Sequence, residues 1–166
     1  KENLDLKFNE DHFMNIKKKN IENKWTNRPD ITINYQSEHN LNKHKIFREQ
    51  VRELENYLNT RVKPKILDIG TFGNFRIKSM WFSIQKKNEI HPPHNHPKSV
   101  LSGVYYIKID KNSGGAINID SKSEKIKYLP DKNDLLIFDS STYHSVDVYN
   151  GKNDRISVAW DAIYSF

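Results

Sequence analysis

The sequence contains no cysteine. Disulfides, thiolate metal ligands and thiol nucleophiles are excluded together, so any metal site in this chain has to be built from His, Asp and Glu. Long apolar runs are missing as well: no segment approaches the roughly 20 residues that a membrane helix needs, and no membrane span is expected. The opening stretch KENLDLKFNEDHF lacks the apolar core of a secretory signal, so the expected location is cytoplasmic. Neither an internal repeat nor a low-complexity linker divides the chain.

What is present suits one packed unit. The chain has 166 residues, 36% hydrophobic and 29% charged, with three Trp, eight Tyr and eight Phe. That is enough apolar material for one core and too little chain for two, so residues 1–166 are expected to form a single domain. A net charge of +6 invites a nucleic-acid partner. However, the basic residues are interleaved with acids, and the run Lys17-Lys18-Lys19 falls at the end of a predicted helix, where cations complement the helix dipole. The expected partner is therefore a small-molecule or peptide substrate, not a nucleic acid.

Residues 1–65 read as mainly helical and 66–166 as mainly strand. Between Asn40 and Thr60, Leu41, Ile46, Phe47, Val51, Leu54, Tyr57 and Leu58 recur at helical spacing, and a shorter helix is predicted over Glu10 to Lys19. Ile31 to Tyr35 alternates like a short strand. After Pro64, β-branched and aromatic segments take over: Lys65–Phe72, Phe75–Gln85, Ser99–Ile109, Ala116–Ile119, Ile126–Tyr128, Leu135–Phe138, His144–Tyr149 and Arg155–Trp160. Turn signals such as Gly73-Asn74, Pro92-Pro93, Ser113-Gly114-Gly115 and Asn150-Gly151 separate them. This punctuation predicts a mainly β fold, a jelly roll or closed barrel, with the N-terminal helices packed outside.

The chemistry-bearing signal is histidine. Three lie within six residues, in His91-Pro-Pro-His94-Asn-His96. On a strand, residues two apart share a face, so His94 and His96 can present imidazoles to one point while the odd spacing turns His91 elsewhere. A third ligand has to come from a distant segment, and His144 is the other histidine of the β half. A His-x-His pair, a β meander and then a lone His is the order a jelly-roll metal site requires.

From His94-Asn-His96-Pro through Leu101-Ser-Gly-Val-Tyr-Tyr-Ile107, Ser113-Gly-Gly, Leu135-Leu-Ile-Phe138, Tyr143-His144-Ser and Arg155-Ile-Ser157, the chain resembles the 2-oxoglutarate- and iron(II)-dependent oxygenases. Within them it is similar to the small bacterial and phage group related to prolyl 4-hydroxylases. The resemblance covers roughly residues 76–162. It implies a double-stranded β-helix holding Fe(II) between two sheets, with His94, His96 and His144 as metal ligands and a hydroxylase activity toward a prolyl or other peptide substrate. In such enzymes 2-oxoglutarate, the cosubstrate, chelates the iron while an Arg deeper in the barrel binds its distal carboxylate. Arg155, eleven residues after His144, stands in the place of that Arg, and the fork of a guanidinium suits a carboxylate. The alternative for Arg155 is an ion pair with Asp154 or Asp147. Ser157 shares its strand face. Tyr106 matches a Tyr that contacts 2-oxoglutarate in relatives, although either Tyr105 or Tyr106 could fill the core.

One departure stands out. The common triad has Asp or Glu where this chain has His96, which leaves the site one unit more positive. His96 is a ligand, or the position is open, or Asp139 or Asp147 supplies a carboxylate. Two other readings fit the histidines: a cupin-like three-His metalloenzyme that does not use 2-oxoglutarate, and a non-catalytic binding module with a metal-stapled barrel.

Overall fold

The computed structural model describes residues 4–19, 34–67, 71–121 and 123–166. Helix α1 (Glu10–Lys19) is followed by strand β1 (Tyr35–Gln36), helix α2 (Arg48–Tyr57) and a short helix α3 (Lys63–Ile66). The strands then run β2 (Asn74–Gln85), β3 (His91–His94), β4 (Leu101–Lys108), β5 (Ile117–Asp120), β6 (Lys125–Tyr128), β7 (Leu135–Asp139), β8 (Tyr143–Val146) and β9 (Arg155–Ser165). They form two antiparallel sheets, one ordered β1-β2-β9-β4-β7 and the other β3-β8-β5-β6. This is the predicted double-stranded β-helix. No helix of the described residues is long and apolar enough to cross a membrane.

Strand alternation divides the five-stranded sheet into two faces. In β2, a register shift between Ile77 and Ser79 is followed by Met80, Phe82 and Ile84, which join the hydrophobic core with Ile156 and Val158 of β9 and Tyr105 of β4. The intervening residues Trp81 and Ser83, Ser157 and Ala159, and Ser102 and Tyr106 line the space between the sheets. Gly103 lies opposite Trp160 in the β4–β9 register, and a Cβ there would overlap the indole ring. A bare backbone at this position is what lets that ring lie flat.

The helices cover the outer face of this sheet, as expected. Phe13 of α1 stacks on Phe47 at 5.4 Å between ring centroids and stands 5.1 Å from Phe82 of β2. Leu54 and Leu58 are fully buried in the same cluster. Each such side chain contributes roughly 1.5–3 kcal/mol through burial, which is how short helices persist here.

Three expectations change. The helix read over 40–60 is a series of pieces: 3-10 turns at Leu41–Lys43 and Lys45–Phe47, then α2, then a π-helical turn at Leu58–Val62. Asn59 and Thr60 donate their side chains to the carbonyls of Glu55 and Asn56, and Pro64 has no N–H to continue the ladder, so the turn widens. Pro64 instead falls in the first turn of α3, where its fixed φ is favourable. The strand expected over 65–72 is thus helical at Lys65 and Ile66 and without strand at Thr71 and Phe72, while 68–70 lie outside the described residues. Tyr35 does begin a strand, but 31–33 also lie outside them. Finally, the Pro92-Pro93 segment read as a turn is strand β3. Among the described residues it pairs only with β8, and an edge strand tolerates residues that cannot donate to a ladder.

Candidate metal centre

Strands β3 and β8 pair so that His94 stands opposite His144. His96 follows just past the end of β3, where its backbone N–H donates to Ser140 O at 2.7 Å and fixes the loop. The three rings converge, with centroids 4.2 Å apart for His94 and His144, 4.9 Å for His94 and His96, and 5.2 Å for His96 and His144. One ligand nitrogen from each can be chosen so that all lie within 4.8 Å of one another.

Hydrogen bonds select the tautomers. His94 Nδ1 is 3.0 Å from Pro92 O and His144 Nδ1 is 3.1 Å from Thr142 O. A carbonyl only accepts, so both Nδ1 atoms carry the proton and both Nε2 atoms keep a lone pair. His96 Nδ1 stands 3.2 Å from Asp161 Oδ2, which gives the same assignment. Burial, reinforced by the imidazole of His94, lowers the pKa of His144 to about 4, and burial lowers that of His94 as well. Neutral imidazoles with free Nε2 atoms are what a divalent transition metal binds.

His91 does not point elsewhere. The β3–β8 register shifts between His91 and His94, and the extra residue brings both rings to the same side. His91 Nε2 is 3.3 Å from His94 Nε2, and its Nδ1 is 2.6 Å from Asn34 Oδ1. Burial and the neighbouring His94 push its pKa down to about 3. It borders the cluster without belonging to the triad. Asp139 and Asp147 are directed away: the first accepts from Ser141 and the second pairs with Lys127 at 2.7 Å and Asn118 at 2.6 Å.

A narrow cavity between the sheets is lined by the triad and also by Tyr106, Arg155 and Ser157. Arg155 is 3% exposed and makes no ion pair with a described residue. Its Nη1 donates to Gln85 Oε1 at 2.8 Å, its plane lies over the Tyr106 ring at 5.0 Å, and its Nε has no hydrogen-bond partner. The Tyr106 hydroxyl is also buried and unpartnered. Burial pushes its pKa up to about 12, against the pull of the nearby guanidinium, so it remains a donor. Tyr105 faces the helices instead, with its hydroxyl 3.1 Å from Asn133 Oδ1.

Comparison with known proteins matches these elements. A family model described as "Putative 2OG-Fe(II) oxygenase" matches residues 79–128, from the middle of β2 through β6. Over those residues the chain is similar to the 2OG-Fe(II) oxygenases. No curated protein matches it. Among solved structures it is similar in fold to a Pseudomonas putida prolyl-4-hydroxylase, at 16% identity and a TM-score of 0.55 over 81% of this chain and 71% of that one. A viral collagen prolyl hydroxylase from Paramecium bursaria Chlorella virus-1, solved with 2OG, gives 15% identity and 0.56 over 81% and 80%. A 2OG-Fe(II) oxygenase-family oxidoreductase from Burkholderia pseudomallei gives 15% and 0.54, and this chain spans 55% of its length.

Fe(II) and 2-oxoglutarate are the cofactors of the 2OG-Fe(II) oxygenases, and the residues present fit both. One ligand nitrogen from each of three imidazoles can be brought within 4.8 Å of the others, and the Arg155 Nε and the Tyr106 hydroxyl are buried without a hydrogen-bond partner, as donors awaiting a carboxylate would be. Sequence reasoning passed over two contributors. Gln85 orients Arg155 across the β2–β9 register, and Asp161 holds His96. Asp161 sits at even spacing from Arg155, six residues beyond it on the same strand, whereas Gln85 reaches the site only through the pairing of β2 with β9.

Proposed function

We propose that this chain is an Fe(II)- and 2-oxoglutarate-dependent oxygenase, acting as a hydroxylase, in which His94, His96 and His144 hold the iron and Arg155 receives the distal carboxylate of 2-oxoglutarate with help from Tyr106 and Ser157. The observation that carries this reading is the Arg155 guanidinium, sealed in the cavity with a neutral partner and an idle Nε. Burying a cation without a counter-charge costs several kcal/mol. A dianionic oxo acid that enters the same cavity supplies the missing charge, and the planar fork binds it through two parallel contacts. A cupin-like site with no oxo acid leaves Arg155 unexplained.

Bound together, iron and 2-oxoglutarate couple oxidation of a substrate to decarboxylation of the oxo acid. The chain's own contribution is positional. Backbone carbonyls fix two imidazoles, the two sheets exclude bulk water, and Gln85 holds the guanidinium in place. Beside the triad a second cavity of about 300 Å³ opens, lined by Asn34, Gln36, His39, Trp81, Pro92 and Pro93. We assign it to the substrate, which we take to be a prolyl or other peptide side chain. The test is succinate formation from 2-oxoglutarate by the iron-loaded protein, with Arg155→Met as the variant that should lose it. Absence of 2-oxoglutarate binding by the parent would remove the reading.

A further inference from the structure

Asp161 occupies an unusual place. It lies on β9 in the row Arg155, Ser157, Ala159, Asp161 that faces the cavity side of the sheet, and it is 6% exposed. Its two cross-strand neighbours are both serines, Ser79 on β2 and Ser102 on β4. Ser102 Oγ donates to Oδ1 at 2.6 Å, Ser79 Oγ lies 3.4 Å from Oδ2, and His96 Nδ1 lies 3.2 Å from the same oxygen. The groups surrounding the carboxylate are therefore donors: two hydroxyls and one imidazole N–H. Such a setting keeps the acid ionised inside the protein.

We infer that Asp161 is the positioning residue of the metal site, returning through His96 the negative charge that the site lacks by having histidine where the common two-His, one-carboxylate triad has Asp or Glu. This rests on the assignment of His94, His96 and His144 as iron ligands. Three neutral imidazoles leave the full charge of a divalent ion uncompensated. A carboxylate accepting the Nδ1 proton of one of them makes its Nε2 more basic, fixes the ring orientation and lowers the net charge of the centre by one. The same aspartate explains how His96 is aimed. It lies beyond the end of β3, where no ladder partner fixes its side chain, and the hydrogen bond to the neighbouring sheet supplies the missing constraint.

The experiment is an anaerobic Fe(II) titration of purified apoprotein, with Co(II) as a second probe, on the parent, Asp161→Asn and the double variant His96→Asp/Asp161→Asn. Asp161→Asn keeps the shape and removes the charge. Its metal affinity should fall about 10- to 100-fold, the usual effect of losing an outer partner, and its Fe(III)/Fe(II) potential should rise because less negative charge supports the oxidised ion. The double variant moves the carboxylate from the outer to the inner position and should recover most of that affinity. Thermal midpoints of the apoproteins separate site effects from folding. A lowered midpoint with unchanged affinity and potential would mean that Asp161 only supports the sheet, which overturns the inference. So would a double variant that binds no better than Asp161→Asn, a comparison that stands even if the single variant folds poorly. A parent that binds neither metal would instead overturn the iron assignment itself.

Discussion

Gln85 and Arg155 face each other across β2 and β9, and the Gln85 carbonyl oxygen accepts 2.8 Å from the Arg155 guanidinium. Gln85 is itself tied down, because its amide donates to the backbone oxygens of Glu89 at 2.7 Å and Asp147 at 3.1 Å. The guanidinium is thus aimed by a residue with no charge to neutralise it. Arg155→Met should leave Fe(II) binding near normal and weaken 2-oxoglutarate by roughly 2–5 kcal/mol, the range for truncating one partner of a buried charge pair. Lysine should rescue in part, since a point charge lacks the fork. Gln85→Ala should cost about tenfold in 2-oxoglutarate affinity, the worth of one hydrogen bond to a charged group. Titration of anaerobic iron-loaded protein, followed by the visible band of a chelated oxo acid, measures all three. A Gln85→Ala variant that binds like the parent would contradict the aiming role.

The four clustered histidines should divide into two kinds. His94→Ala and His144→Ala each remove a donor and should lower iron affinity by more than the roughly 10- to 100-fold of an outer partner. His91 lies 3.3 Å from His94 but outside the triad, so His91→Ala should retain most iron affinity. Metal stoichiometry of the variants distinguishes these outcomes. Loss of iron in His91→Ala would make it a fourth ligand.

Much of this site was legible because residue type and parity carry it. His94, His96 and His144 stand out in a chain without cysteine, and Arg155 and Ser157 share a face by their spacing of two. What escaped depends on where strands end and where they slip. The strand read over Arg155–Trp160 continues to Ser165, and extending it by one residue would have placed Asp161 in the same row. His91 was misdirected by a register shift that alternation alone cannot reveal. In the helical third, spacing located the buried Leu54 and Leu58. The π turn after Tyr57 arises from Asn59, Thr60 and Pro64 competing for backbone partners, a tertiary balance that periodicity does not encode.

Phe13 ties α1 to the barrel through Phe8, Phe47 and Phe82, at centroid distances of 5.6, 5.4 and 5.1 Å. It is fully buried. Phe13→Ala should destabilise the fold by about 3–5 kcal/mol, whereas Phe13→Leu should cost much less because it keeps most of the volume. Urea unfolding measures both. A cost below about 1 kcal/mol for the alanine would mean that α1 is dispensable to the core.

The apoprotein should lose stability on mild acidification, and the sign follows from the buried histidines. In the folded state burial holds the pKa of His144 at about 4 and that of His91 at about 3, below the ordinary 6.5. Between those values the unfolded chain binds protons that the folded chain refuses. Stability therefore rises with pH across this window, is fully present above about 7, and is lost as pH falls from 6.5 toward 4. For His144 the full loss is about 3 kcal/mol if the whole difference is expressed. Asp161, whose pKa is lowered by donation from His96 and Ser102 that outweighs the effect of burial, adds a loss of the same sign, but only once pH reaches the ordinary carboxylate range near 4. Urea midpoints of the apoprotein at pH 7.5, 6 and 5 should therefore fall in order, before any carboxylate contributes. His144→Asn, which cannot take up a proton, should flatten the slope over the same interval. Iron should steepen it in the parent, because the protons now compete with the metal for the same Nε2 lone pairs. An apoprotein equally stable at pH 7.5 and pH 5 would mean that these imidazoles open to water at little cost and are not held neutral by burial.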